Sequence, residues 1–305
     1  MNNFQVIIKD IMKLQTPVIE EKCKVSISYQ DRILMLGSCF SDNIGQQLRN
    51  FGFDVCINPF GTLYNPVSIL NSLRRLSEGK GISKEDIVQI GAGDTRWCSF
   101  FHHTSFSAET PEDFLLKASE ALKTAHDYFN NCTRLIITLG TSWCYRHNDT
   151  GLIVSNCLKH PGQEFTRERL DIKETSETLL EIIRTCAGCS VPKKIIFTVS
   201  PIRHFKDGAH GNQLSKSTLL LGIDEALALT DNESADYFPA YEIVMDELRD
   251  YRFYAEDMCH PSAQTVNHIR ERFLNWALPQ DEHTRLQENI RSYLHASHHT
   301  RNIAE

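Results

Sequence analysis

The sequence predicts an α/β protein, a three-layer α/β/α sandwich built on a mainly parallel sheet. Short apolar runs alternate along the chain with longer amphipathic segments, which is typical of strand–helix units around a parallel sheet. Three of the four apolar runs are hydrophobic almost throughout, as expected of parallel strands that helices cover on both faces. The chain has 305 residues, 41% of them hydrophobic, which allows a large core. A chain of this length could form one large domain or two small ones.

Four strands and seven helices follow from this pattern. The predicted strands are Ile33–Leu36, Asp54–Ile57, Leu135–Leu139 and Lys194–Val199. The predicted helices are Asp42–Asn50, Pro66–Ser77, Pro111–Asn130, Lys173–Thr185, Leu214–Leu229, Pro239–Tyr251 and Pro261–Ala277. Thr110 followed by Pro111 and two acidic residues is a typical helix start, since proline suits the first helical position. The end of the chain, residues 291–305, is predicted to be a flexible tail.

The composition argues against several classes of partner. The formal net charge is −7, which disfavours nucleic acid, because binding to a phosphate backbone depends on clustered Lys and Arg. No stretch approaches the roughly 20 apolar residues of a membrane span. The segment Met1–Leu14 lacks a continuous apolar core, so no signal peptide and a cytoplasmic location are predicted.

Neither a cofactor nor a metal is predicted. The chain has no Walker loop and no G-x-G-x-x-G before a helix. Ten cysteines are scattered along it, and the single C-x-x-C, Cys186 to Cys189, lacks the second pair that a zinc ribbon needs. That segment is interpreted as a plain turn.

Polar loops follow three of the predicted strands. Ser38 comes directly after the first strand, the segment 140–143 after the third, and the segment 200–203 after the fourth. In sheets of this kind, ligands bind beyond the carboxyl ends of the strands. The three loops are therefore expected to meet at one edge of the sheet and to form a site there.

Ser38 is the candidate nucleophile. It lies in Gly37-Ser38-Cys39-Phe40-Ser41, between a strand and a helix, where a turn exposes the hydroxyl. The backbone N–H groups of Ser38 and Cys39 would point at an oxyanion beside it. The alternative is that Ser38 or Ser41 only caps the helix.

Asp257 and His260 are the candidate orienting acid and general base. A three-residue spacing in a tight loop lets a carboxylate meet the imidazole and fix its tautomer. A lone D-x-x-H is common in sequences, so the pair gains its meaning from the serine that follows a strand earlier in the chain. Nucleophilic catalysis needs these three groups together.

These segments resemble the GSCFA family, whose signature is similar to residues 37–41. Other stretches that carry the resemblance are residues 58–66, 139–143, 200–203, 237–242 and 250–260. The family looks like a branch of the SGNH, or GDSL-like, hydrolases. The resemblance implies one three-layer α/β/α domain over residues 1–290 and an esterase that acts on acyl groups of small molecules, lipids or glycans.

The resemblance also implies roles for individual residues. The SGNH nucleophile matches Ser38, and the catalytic D-x-x-H matches Asp257 and His260. The glycine that donates a backbone N–H to the oxyanion matches Gly61, and glycine permits a close approach of the backbone to a ligand.

The third SGNH motif departs from its pattern. Its asparagine donates to the oxyanion, but this chain has Ser142 at that place, in Gly140-Thr141-Ser142-Trp143. Three kinds of substitute donor remain open. They are a hydroxyl, from Thr141 or Ser142, the side chain of Asn156, and the imidazole of His102 or His103. Loss of one oxyanion donor typically lowers the rate by about 10²–10³.

Three functions are compatible with the sequence. The leading hypothesis is a serine esterase in which His260, oriented by Asp257, takes the proton of Ser38. The second is an acyltransferase that passes the acyl group to a sugar hydroxyl through the same triad. The third is a catalytically inactive ligand-binding relative, which the missing asparagine motivates.

Overall fold

The computed structural model describes residues 15–231 and 233–303. The described residues contain ten strands, β1 (Arg32–Gly37), β2 (Asp54–Ile57), β3 (Ile87–Gln89), β4 (Trp97–Ser99), β5 (Arg134–Leu139), β6 (Trp143–His147), β7 (Ile153–Val154), β8 (Phe165–Arg169), β9 (Lys194–Val199) and β10 (Ala235–Tyr237). They also contain eight α-helices, α1 (Cys39–Asn50), α2 (Pro66–Glu78), α3 (Pro111–Asn131), α4 (Ile172–Ala187), α5 (Gly208–Ala228), α6 (Ala240–Glu242), α7 (Ala263–Ala277) and α8 (His283–Ile303).

The central sheet has five strands in the order β10-β9-β5-β1-β2, and all neighbouring pairs are parallel. The chain moves from β1 outward to β2, and then crosses back to β5 on the other side of β1. The topology therefore switches direction between β1 and β5. In doubly wound sheets, ligands bind beyond the carboxyl ends of the strands at such a point.

Helices cover both faces of this sheet, so the predicted α/β/α sandwich is confirmed. Leu34 and Leu36 of β1 pack with α2, α3, α4 and α5, whereas Ile33 and Met35 pack with α1 and α7. The side chains of a strand alternate between its two faces, and both faces are buried here. This double burial explains why β1, β5 and β9 are apolar almost throughout.

The four predicted strands are all present, but the sequence analysis missed the shorter ones. β10 is a three-residue edge strand that includes Asp236, whose carboxylate accepts the N–H groups of Lys24 at 2.6 Å and Val25 at 3.3 Å. Two antiparallel sheets, β3-β4 and β7-β6-β8, lie outside the central sheet. Their strands contain charged residues such as Arg146 and Glu168, so they lack the apolar signal of a doubly covered strand.

Several helices differ from their predicted bounds, and α1 begins at Cys39 rather than at Asp42. α5 begins at Gly208, six residues before the predicted start at Leu214, in a glycine-containing segment that has little helical signal. The predicted helix Pro239–Tyr251 is a short α-helix followed by a wider turn of π-helix, Ile243–Leu248. α7 begins at Ala263 rather than at the proline, because Ser262 caps it by accepting the N–H of Thr265.

A flexible tail is predicted over residues 291–305, and the described part of that segment, 291–303, belongs to a helix. α8 extends from His283 to Ile303. Leu286 is buried against the core, and Nδ2 of Asn289 donates to the carbonyl of Phe51 at 2.8 Å. These contacts anchor the first turns of α8, and a sequence pattern cannot show them. None of the described helices is long and apolar enough to cross a membrane.

Candidate active site

The candidate site begins at Gly37, where β1 ends beside β5. Its N–H donates to Oδ1 of Asn58 at 2.9 Å, and its carbonyl accepts the N–H of Leu63 at 2.9 Å. Its φ of +142° is unfavourable for other residues, and a Cβ there would lie 2.2 Å from the carbonyl oxygen of Thr138. Only glycine permits this close approach of the two strand ends immediately before Ser38.

We expect Gly37→Ala to lower the free energy of unfolding by about 2–4 kcal/mol, because the methyl group would push the ends of β1 and β5 apart. Urea denaturation would measure the change. Gly151→Ala is the matched control, since Gly151 also has a positive φ, +68°, but its Cβ would meet no atom within 4 Å. Equal losses of stability in the two variants would contradict the steric argument.

Ser38 caps helix α1 and is almost completely buried, with 1% of its surface exposed. Its Oγ accepts the N–H of Phe40 at 3.3 Å, as expected of an N-cap. Its own N–H donates to the carbonyl of Thr138 in β5 at 3.3 Å. In this conformation the N–H of Ser38 is therefore engaged with β5, and its use for an oxyanion stays a prediction. Cys39 is the first residue of the helix, so its N–H has no carbonyl partner within the helix.

Asp257 and His260 are in contact, as the spacing predicts. Oδ2 of Asp257 lies 2.6 Å from Nδ1 of His260, and Oδ1 accepts the backbone N–H groups of His260 and Cys259, both at 2.9 Å. These backbone donors, with the imidazole, lower the pKa of Asp257 to about 2. The carboxylate is thus ionised and holds Nδ1, which leaves Nε2 as the base nitrogen.

An open cleft of about 510 Å³ lies at the carboxyl edge of the sheet. It brings together Cys39, Thr141, Asp257 and His260 from the predicted site. Ser38 is not one of its lining residues, and within the described chain no hydrogen bond joins the Ser38 hydroxyl to His260. The other lining residues are Tyr64, Asn65, Trp143, Tyr145, Val154, Ser155, Arg167, Ile202, Arg203, His204, Phe205, Lys206, Asp207 and Cys259.

Gly61 does not line this cleft. Its N–H donates to the carbonyl of Asn58 at 2.8 Å, so this donor is engaged within its own loop. Its φ is +85°, and a Cβ there would lie 2.2 Å from Cβ of His103. In this structure Gly61 therefore allows the loop to turn tightly against His103, and its N–H is not available to the oxyanion that the resemblance implies.

The hydroxyls of Thr141 and Ser142 both turn toward helix α5. Oγ of Ser142 lies 3.2 Å from Oγ of Ser215, and Oγ1 of Thr141 lies 2.9 Å from the same atom. Ser142 has no exposed surface, and in this conformation its hydroxyl does not face the cleft, so its role as a donor stays a prediction. Thr141 lines the cleft, but its hydroxyl oxygen already accepts the N–H of Trp143 at 3.1 Å.

The remaining three candidate donors lie elsewhere. His102 is buried away from the cleft, where Nδ1 lies 2.8 Å from Oγ of Ser99, and burial, with a smaller effect of the Arg75 charge, lowers its pKa to about 4. His103 and Asn156 line an adjoining cleft of about 470 Å³. The two clefts share Tyr64, Tyr145, Val154, Ser155 and Lys206. Asn156 uses Oδ1 to accept the N–H of Leu158 at 2.8 Å.

Two polar residues beside the cleft were missed by the sequence analysis. Asn65, which lines it, precedes Pro66 and so carries the signal of a helix cap but no sign of a further role. Lys216 is wholly buried, and its Nζ donates to the carbonyls of Gly140 at 2.6 Å and Ser200 at 2.7 Å. Burial lowers the pKa of Lys216 to about 7. Nothing in the sequence distinguishes it from a lysine on an exposed helix face.

The outer wall of the cleft is aromatic and cationic. The Arg167 guanidinium lies 4.1 Å from the centre of the Trp143 ring and forms an ion pair with Asp207. Nζ of Lys206 donates to the Tyr145 hydroxyl at 3.0 Å. Such a wall can pack against the ring of a ligand and hold its polar groups. No cluster of His, Cys, Asp and Glu among the described residues could hold a metal ion.

These features define an α/β/α sandwich protein with a polar cleft at the carboxyl edge of a parallel sheet. The model of the GSCFA family matches residues 32–273, and the chain belongs to that family. No curated protein matches the chain.

Several solved structures are distantly similar to this chain, among them the following two. One is a protein from Streptococcus pneumonia, provisionally described as a platelet activating factor, with 12% identity and a TM-score of 0.40 over 80% of this chain and 84% of that chain. The other is an acetyl xylan esterase from the rumen bacterium Butyrivibrio proteoclasticus, with 10% identity and a TM-score of 0.42 over 82% of this chain and 64% of that chain. Similarity this low carries no argument about activity.

Proposed function

We propose that the protein is a serine esterase of the SGNH type, which removes an acyl group from a small-molecule or glycan ester. The observation that carries the proposal is the Asp257–His260 hydrogen bond, placed in a cleft that also contains Cys39, the neighbour of Ser38. The cleft lies beside the end of β1, at the switch point of the sheet. This arrangement supports a base and an orienting acid that act on the serine next to Cys39.

The first half of the reaction forms an acyl-enzyme. The Ser38 hydroxyl turns from the Phe40 N–H toward the cleft, and Nε2 of His260 takes its proton as Oγ attacks the ester carbonyl. The tetrahedral intermediate then collapses, the C–O bond to the alcohol breaks, and His260 returns the proton to the leaving oxygen. The Asp257 carboxylate stabilises the imidazolium that exists between these two transfers.

The second half repeats these steps with water. His260 takes a proton from a water molecule that attacks the acyl carbonyl, and the second collapse breaks the bond to Oγ of Ser38. The proton held by His260 returns to Oγ, so the free acid is released and the enzyme is restored. The N–H of Cys39, the first residue of helix α1, would donate to the oxygen on which the negative charge develops.

A fluorophosphonate probe tests the proposal directly. We expect it to label the wild-type protein once, at Ser38, because only an activated hydroxyl reacts with such a probe. Peptide mass spectrometry would locate the label. Ser41→Ala is the matched control, since Ser41 is a buried neighbour whose hydroxyl donates to the carbonyl of Leu36, and its loss should leave labelling intact. Absence of any label on Ser38 would refute the proposal.

One observation favours a catalytically inactive ligand-binding protein as the second candidate. The N–H groups of Ser38 and Gly61 and the hydroxyl of Ser142 are all engaged within the protein. If no other donor served the oxyanion, the cleft would bind an ester without cleaving it. The same probe distinguishes the two functions, because an unlabelled protein that still binds esters would be of the inactive kind.

A further inference from the structure

The side-chain amide of Asn65 has a fixed orientation. Asn65 caps helix α2, and its Oδ1 accepts the backbone N–H of Ser68 at 2.8 Å. A backbone N–H can only donate, so the accepting atom must be the oxygen, and the nitrogen Nδ2 is turned away from the helix. The residue is 6% exposed, which leaves the amide little freedom to rotate.

Nδ2 of Asn65 is a donor that has no protein partner in the part of the chain that the structure describes. No hydrogen bond within residues 15–231 and 233–296 involves it. The buried side-chain nitrogen and oxygen atoms that lack a partner in this part of the chain are Trp143 Nε1, Thr198 Oγ1, His204 Nε2 and Arg270 Nε. Nδ2 is not one of these atoms, so it retains contact with open space. Asn65 lines the 510 Å³ cleft, and its free N–H bonds therefore face that cleft.

The backbone before Asn65 is fixed between the ends of β1 and β5. Leu63 donates its N–H to the carbonyl of Gly37 at 2.9 Å. The carbonyl of Tyr64 accepts the N–H groups of Gly140 at 2.8 Å and Thr141 at 3.0 Å. These bonds hold the following residue beside the two strand ends that carry the candidate site.

Asn58, in the same loop, provides a useful contrast. Its Oδ1 accepts the N–H of Gly37 at 2.9 Å, and its Nδ2 donates to Oδ1 of Asp42 at 2.7 Å. Both ends of this amide are engaged in holding the loop. Asn65 differs, because among the described residues only its oxygen has a hydrogen-bond partner.

We propose that Nδ2 of Asn65 donates a hydrogen bond to the oxyanion of the tetrahedral intermediate, together with the N–H of Cys39. This inference rests on the proposed esterase function. When Oγ of Ser38 attacks, the carbonyl π bond opens and its electron pair moves onto the ester oxygen, which becomes negative. Donors that are already fixed stabilise this charge without reorganisation. The helix cap fixes Asn65 in this way before a substrate binds.

Asn65→Ser and Asn65→Asp test the assignment. Ser and Asp cap helices about as well as Asn, so both variants retain an acceptor for Ser68. The Asp carboxylate has no donor, whereas Ser replaces the amide donor with a hydroxyl on a shorter side chain. We expect kcat for a short aryl ester to fall by about 10²–10³, with little change in KM, because the hydrogen bond forms only in the transition state. The second-order rate of fluorophosphonate labelling should fall in parallel, and the melting temperature should stay close to that of the wild type.

Two results would overturn the assignment while the proposed function stands. One is an Asn65→Asp variant whose kcat stays within threefold of a wild-type enzyme that is labelled at Ser38. The other is a change confined to KM, which would make Asn65 a ground-state binding residue. A wild-type protein that neither hydrolyses esters nor reacts with the probe would refute the esterase function itself and this assignment with it.

Discussion

His260→Ala is expected to lower kcat for a short acyl ester by about 10⁴–10⁶, the largest effect of any change proposed for this protein. Without the imidazole, the Ser38 hydroxyl keeps its proton and is a weak nucleophile. The Asp257 carboxylate, 2.6 Å from Nδ1 in the wild type, would lose the group that it orients. Steady-state kinetics with a chromogenic ester would measure the change.

Further variants make this experiment specific. Asp257→Asn should lower kcat by about 10⁴, because an amide favours the wrong imidazole tautomer. The double variant should be no slower than His260→Ala alone, since the two groups act as one unit. His210→Ala is the control, as His210 is an exposed histidine on α5. A His260→Ala variant that retains a tenth of the wild-type rate would rule out the triad.

The second large effect concerns acid stability. Burial lowers the pKa of His102 to about 4, and burial together with the charge of Lys216 lowers that of His204 to about 4. In the unfolded chain both imidazoles have a pKa of about 6.5. Between these values the unfolded state binds protons that the folded state does not, so stability is highest above pH 6.5 and falls as the pH drops toward 4. Each histidine contributes about 3 kcal/mol of this loss, at about 1.4 kcal/mol per pH unit.

Urea denaturation at several pH values between 7 and 4 would measure this dependence. His102→Gln should lose about 3 kcal/mol less than the wild type over that interval, because glutamine does not titrate. His204→Gln should behave in the same way. His210→Gln is the control and should follow the wild-type curve, since its imidazole is exposed. Parallel curves for wild type and His102→Gln would contradict the argument.

The central strands could be predicted from the sequence because strands buried on both faces consist mostly of apolar residues. β1, β5 and β9 are covered on both faces, so most positions in them favour an apolar residue. β6 and β8 are covered on one face at most and carry the ion pair between Arg146 and Glu168. These strands were missed because their polar residues resemble those of a loop, and only their pairing with each other identifies them as strands.

The candidate site divides in a similar way. The Asp257–His260 contact depends only on a three-residue spacing, which is readable in the sequence. Whether a donor is free depends instead on what lies across the fold. The N–H of Gly61 and the hydroxyl of Ser142 are used by a loop carbonyl and by Ser215, and neither partner can be foreseen from the chain. Asn65 was missed for the opposite reason, because its role as a helix cap explains its presence fully.

Lys216, buried beside the cleft, can keep its hydrogen bonds while its charge changes. An amine retains two N–H bonds after it loses its proton, and Nζ has two carbonyls to hold, those of Gly140 and Ser200. Nζ can therefore donate to the carbonyls that follow β5 and β9 whether or not the amine is protonated. The electrostatic potential that this nitrogen exerts on His204 does change, and it does so close to neutral pH. Loss of this one proton would therefore change the charge beside His204, while the carbonyls of Gly140 and Ser200 would keep their donor.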